Sequence, residues 1–186
     1  MSYVSAQHDR LLAGLVIPCY VVAVDLPAAR VRVSDGGDWA SAWVRWHALA
    51  AGKARHWRAP SLGEQGALVS PSGEPAQGTF VPGLYGNAGA PPDNRDHVEV
   101  WRFDDGGSLV YDWQAKSYTI TLPSGTVTTK VGDSAAVVTD NAVNVTSGQI
   151  NLKGAVNVDG PLHVTGDITS DGKILDAGGN SNHHTH

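Results

Sequence analysis

Cysteine is nearly absent from this 186-residue sequence: Cys19 stands alone. A single thiol excludes an internal disulfide framework and any multi-cysteine zinc site. Methionine also occurs once, phenylalanine twice, and charged residues reach only 17%. No apolar run approaches the roughly 20 residues of a membrane-spanning helix. The opening MSYVSAQHDR has no basic patch ahead of an apolar core, so no secretory signal is expected. Positive charge is scarce too, and unevenly so. Residues 1–90 carry seven Lys/Arg against six Asp/Glu, and residues 91–186 carry six against twelve, giving the formal net charge of −5. An acidic half repels phosphate backbones, whose neutralisation dominates nucleic-acid affinity, so no nucleic-acid partner is expected.

Glycine is what the chain has in quantity. Its 22 glycines and 10 prolines make it turn-rich but keep it below the roughly 25–30% of low-complexity chains. With 41% hydrophobic residues, this composition predicts an all-β protein of one or two small domains.

Residues 1–16 hold one short helix over 3–15, with Leu11, Leu12 and Leu15 as a weak apolar face, read as a docking segment. Residues 17–90 read as a small closed barrel of the OB type. Five strands are expected there: Ile17 to Leu26, one in which Val31 and Val33 alternate with Arg30, Arg32 and Ser34, Trp39 to Trp46, Gly66 to Ser70, and Gly78 to Tyr85. Cys19, inside the first, is expected to be a buried thiol. Residues 91–125 join a linker to an antiparallel meander whose strands run His97–Phe103, Leu109–Trp113 and Tyr118–Leu122.

The last third carries the most specific signal. Gly148, Gly154, Gly160, Gly166, Gly172 and Gly178 recur every six residues. In the intervening hexads the second position is always apolar: Ile150, Val156, Leu162, Ile168, Ile174. The fourth is Leu152, Val158 and Val164, then Ser170 and Asp176. Positions two and four of a strand share a face, and glycine permits a sharp corner, so the pattern predicts a β-helix. Five hexads are too few for a single-chain β-helix, because one or two small apolar side chains per strand do not offset roughly 1–2 kcal/mol per residue of backbone entropy. Three copies around one axis remove the deficit and the open edges together. Residues 126–180 are therefore expected to form an intertwined homotrimeric β-helix. About nine strands per chain at roughly 4.8 Å spacing make a needle of about 40 Å.

Residues 181–186 end in Asn182-His183-His184-Thr185-His186. In an extended segment His184 and His186 share a face, and a three-fold axis turns two histidines per chain into six imidazoles. Such a set suits an octahedral first-row metal, and imidazole accepts iron, nickel, copper and zinc.

The order of helix, OB-like barrel, meander, β-helix and terminal His-x-His resembles the baseplate assembly protein V family, the central tail spikes of contractile-tail phages. The stretches that carry the resemblance are Trp57 to Gly66 (WRAPSLGEQG), Ser72-Gly73-Glu74, Phe103 to Asp112 (FDDGGSLVYD) and the closing HTH. The short length and bare tip look most like the spike of R-type bacteriocins (pyocins, or tailocins). The resemblance implies a homotrimeric membrane-piercing spike below the tail tube and baseplate, with hub proteins as partners and the target outer membrane as a transient contact. It also implies a particle-borne location, no catalysis, no small-molecule substrate, and one iron ion per trimer held by His184 and His186.

Three other readings compete. In a nucleic-acid-binding OB module, Trp39, Trp43, Trp46 and Trp57 would stack bases beside Arg45, Lys53, Arg55 and Arg58; the near-neutral charge of residues 1–90 favours core and collar aromatics instead. A hexapeptide-repeat acyltransferase would use His163, but it needs more coils than five hexads supply. A type VI secretion spike would share the same mechanics. His8, His47, His56 and His97 lack ligand spacing.

Overall fold

The computed structural model describes residues 3–173. The chain divides into two compact units, the first reaching Pro123 and the second beginning at Ser124.

The first unit opens with helix α1 (Tyr3–Gly14), none of whose residues is buried. Of its weak apolar stripe only Leu11 is half-buried, while Leu12 and Leu15 are exposed. The helix docks backbone to backbone: a Cβ on Gly14 would lie 2.5 Å from the Gly73 carbonyl oxygen, and one on Gly73 would overlap the carbonyl of Leu11. The Ser70 N–H donates to the Leu15 carbonyl just beyond the helix, at 2.8 Å.

Five strands close the barrel in the order β1-β2-β3-β5-β4. They are β1 (Val16–Asp25), β2 (Arg30–Ser34), β3 (Val44–Trp46), β4 (Gln65–Val69) and β5 (Thr79–Leu84). The ten-residue β1 is shared between two neighbours. Its first half pairs with β4 and its second with β2, across an irregularity between Val21 and Ala23. A parallel pair, Arg45 with Thr79 and Trp46 with Phe80, completes the closure. Alternation does the sorting: Cys19, Val21, Val31, Val33, Val44, Leu68 and Phe80 point inward and are buried. Gly66 is glycine because the Phe80 ring crosses over it; a Cβ there would sit 2.6 Å from the ring and overlap the Val81 carbonyl.

The third strand is shorter than the expected Trp39 to Trp46. Only Val44–Trp46 is strand, and Ala40 makes a lone bridge to Ser34. Two buried serines account for the difference. Ser41 Oγ accepts from the Val33 N–H at 3.0 Å and donates to the Ala42 carbonyl. Ser34 Oγ donates to the Trp39 carbonyl at 2.7 Å. These side chains take backbone groups that a strand ladder would otherwise use.

The meander follows as β6 (Val98–Arg102), β7 (Ser108–Asp112) and β8 (Ser117–Thr121), in that order across the sheet. In the second unit, β9 (Thr126–Val131), β10 (Ser134–Thr139) and β11 (Val143–Thr146) form a separate antiparallel sheet with β10 in the centre. From Gly148 to Lys173 the chain has no strand pairing at all.

Candidate assembly surface

The hexads present their apolar positions to solvent. Ile150, Leu152, Val156, Val158, Leu162, Val164 and Ile168 are all exposed, Leu152 by 73%. Gly154 and Gly160 have φ of +138° and +132°, so at least these two corners use a conformation that side chains resist. Short extended pieces, glycine corners and an uncovered aliphatic row make half an interface. Solvating that row forgoes roughly 25 cal/mol per Å² of the area it could bury.

The β9–β11 sheet repeats the arrangement. Pairing of Val138 with Val127 and Val143, and of Ala136 with Thr129 and Val145, puts Val127, Val131, Ala136, Val138, Val143 and Val145 on one face. Thr128, Lys130, Ala135, Val137, Asn144 and Thr146 occupy the other. The valine face is uncovered, with Val131 79% and Val143 70% exposed. The sequence reading placed this stretch in the β-helix without separating its faces; within β9 and β11 the signal that separates them is the alternation of valine with threonine, lysine and asparagine.

In the meander, Glu99 pairs with Tyr111, Trp101 with Leu109, Leu109 with Ile120 and Tyr111 with Tyr118. One face therefore carries Glu99, Trp101, Leu109, Tyr111, Tyr118 and Ile120. The first five line a shallow hollow of about 260 Å³. Trp101 Nε1 donates to Glu99 at 3.0 Å, and the Tyr111 and Tyr118 rings lie 6.4 Å apart.

The residues singled out from sequence divide. His184 and His186 lie outside the described residues, as do Ile174 and Asp176. Ser170 is exposed, and its Oγ bonds the Gly172 backbone rather than filling an apolar row. His163 is exposed. Trp39 and Trp46 pack against the barrel core, and Trp57 tilts onto Trp46 at 5.4 Å, so these three are not splayed as a base-stacking platform. Arg58 is not free for phosphate either. It forks onto both carboxylate oxygens of Glu64, a bond that raises its pKa further, while Glu64 also accepts the Ser61 N–H at 2.9 Å. That lock, with Gly63 at φ +80° and Gly66 beneath Phe80, explains the WRAPSLGEQG stretch as a loop closure.

Cys19 is a buried thiol, and burial pushes its pKa up. His47 shares a hydrogen bond with Thr79 Oγ1 at 2.8 Å. His97 lies 3.1 Å from Asp96 and 3.8 Å from Asp112, which also pairs with Arg95. Among the described residues no group of His, Cys, Asp or Glu is placed to hold a metal, and no helix is long and apolar enough to cross a membrane.

Comparison with known proteins agrees with this geometry. Residues 17–85 match the family described as the type VI secretion system/phage-baseplate injector OB domain. Residues 99–170 match the one described as the Gp138 beta-helical trimerization domain. The spike protein of Escherichia phage P2 is 32% identical over 130 residues, covering 66% of this chain and 61% of that protein.

Proposed function

Since the barrel matches the phage-baseplate injector OB domain and the strands after it a β-helical trimerization domain, we propose that the chain is a structural spike of a contractile injection device. It works as a homotrimer attached to a baseplate. One observation carries the reading: the uncovered apolar rows of the hexads and of β9–β11 lie within the residues that match the trimerization domain. Three copies cover those rows for one another. The product is a narrow body without open strand edges, the form a part pushed lengthwise through a membrane requires. The barrel, with its own closed core, is the collar that joins this body to the baseplate. No catalytic step is needed. We read the device as a contractile phage tail or an R-type bacteriocin, with an outer membrane as the target surface. A type VI device is the second reading, favoured by the description of the family that the barrel matches.

At the tip, His184 and His186 of three chains would supply six imidazole nitrogens, a donor set that fits one octahedral iron ion. The metal would lock three chain ends against fraying, and its binding would add to trimer stability. The histidines themselves need only be neutral and extended, every second residue facing the axis.

Native mass spectrometry of the purified chain tests both statements. The expected species is a trimer with one iron per three chains, and Val158→Asp should reduce it to monomer by placing three carboxylates on the apolar axis. His184→Ala with His186→Ala should remove the metal and leave the trimer. A monomeric wild type overturns the spike; a metal-free trimer overturns only the tip site.

A further inference from the structure

The outer face of β2 and β3 has a charge pattern that barrel closure does not need. On β2 the inward Val31 and Val33 are buried, while Arg30 and Arg32 stand outside and exposed. On β3 Val44 is buried and Arg45 is exposed. The pairing register sets Arg30 directly opposite Arg45. Like charges directly opposite on two strands destabilise the pair, so the barrel by itself gains nothing from this choice. Among the described residues none of the three arginines makes an ion pair. The carboxylate in register with them, Asp25 opposite Arg30 on β1, accepts the Ala28 N–H at 3.0 Å.

Two of the guanidinium groups are nevertheless held in place. Arg30 Nη1 donates to the Trp43 carbonyl and Arg32 Nε to the Ser41 carbonyl, each at 2.9 Å. A neutral carbonyl fixes such a group without cancelling its charge and leaves most of its N–H donors free. Forks positioned in this way match the geometry of a carboxylate, and less freedom is lost when they engage one. Trp43, the residue before β3, is 41% exposed. Tryptophan and arginine are the residues enriched at the energetic centres of protein interfaces.

We propose that the face formed by Arg30, Arg32, Trp43 and Arg45 docks a carboxylate-bearing segment of a protein partner. The arginines fork onto its acidic side chains, and Trp43 packs against an apolar residue among them. The partner's negative charge relieves the repulsion between Arg30 and Arg45. Strands two and three of other OB barrels hold oligonucleotides, but stacking successive bases takes several free rings, and here Trp39 and Trp46 are packed on the core. The inference rests on the collar reading, for which it names the face and the chemistry of the baseplate contact. It makes no claim about where copies of the chain touch.

Fluorescence anisotropy on the full-length protein tests it with three probes: a dye-labelled peptide of Glu, Asp and Leu, an oligothymidine of equal length, and phosphatidylglycerol vesicles. A peptide with Gln and Asn in place of the acids is the control. The acidic peptide should bind saturably, more weakly as salt rises, and the control peptide should not bind. Arg30→Gln with Arg45→Gln should weaken the acidic peptide by about tenfold or more, and Trp43→Ala should weaken it as well. A second readout separates docking from a structural role. Arg45→Gln removes a like-charge pair, so the melting midpoint of the barrel should hold or rise while binding falls. Absence of peptide binding, equal binding by the arginine variants, or a lowered midpoint in Arg45→Gln overturns the inference. Tighter binding of oligothymidine or of vesicles than of peptide also overturns it, in favour of a nucleic-acid or a lipid face. A trimer that ignores the peptide leaves the spike reading standing. A monomer that binds it overturns the spike and keeps the acidic partner.

Discussion

At the residue scale, two positions hold local geometry in ways that can be tested singly. Gly66 gives up its side chain so that Phe80, which is fully buried, can cross the β4–β5 pair. Gly66→Ala forces the Val81 carbonyl or the Phe80 ring to move. Overpacking of this sort costs about 1–3 kcal/mol, to be read as a lower midpoint in denaturant for the barrel; an unchanged midpoint would show that the ring moves freely. Asp93 is the second. Its carboxylate accepts from the Arg95 side chain at 3.0 and 2.8 Å, and from the backbone N–H groups of Arg95 and Asn94. Those bonds, the Arg95 side chain first, hold its pKa well below the ordinary carboxylate value. The contribution of a depressed carboxylate is complete above the unfolded-state value of about 4 and is lost as pH falls below it. Asp93→Asn should therefore flatten the acid limb of the stability–pH curve below about pH 4 and leave its shape at neutral pH unchanged. Parallel curves for the two proteins down to the acid end would contradict this.

At the scale of elements, helix α1 shows how a contact can be made by backbone alone. Gly73 has φ +72° and lies against the Leu11 carbonyl, so Gly73→Ala adds a left-handed penalty of about 1–2 kcal/mol to a direct overlap. The expected outcome is an undocked helix on a folded barrel: faster tryptic cleavage at Arg10, with barrel melting lowered by the strain left in the β4–β5 connection. Cleavage at the wild-type rate would place the hold on α1 elsewhere. The same elements show what the sequence displayed and what it hid. The β-branched run of β1 and the alternation of Val31 and Val33 made the barrel strands legible, because the inward face is written into the period. Trp39 to Ala42 looked equally strand-like, but Ser34 and Ser41 divert that backbone through tertiary hydrogen bonds that no local pattern encodes. The hexad register was legible from its glycines alone. Which face of β6–β8 is apolar was not, since Glu99 shares it with Trp101, and only the pairing register puts Tyr111 and Tyr118 on the same side. The tip histidines were legible as a pattern, and their reading still rests on chemistry and resemblance.

At the scale of the whole molecule, the two units differ in what they need in order to fold. The barrel closes on its own residues, with a core from Cys19 to Phe80. Among the described residues the hexads hold no strand pairing within the chain. Refolding from denaturant should therefore separate into two phases. Fluorescence of Trp39 and Trp46, which sit on the barrel core, should return at a rate independent of protein concentration. Trimer formation, followed by crosslinking, should accelerate as concentration rises. A single concentration-independent phase for both signals would contradict the division. The missing pairing also has a genetic consequence. When strands find their partners only in other molecules, one faulty copy spoils two sound ones. A cell expressing equal amounts of normal chain and of a chain broken in its hexads would assemble only about one fully normal trimer in eight. A defect in residues 148–173 is thus dominant, whereas a barrel that fails to fold removes itself from the pool and harms no neighbour.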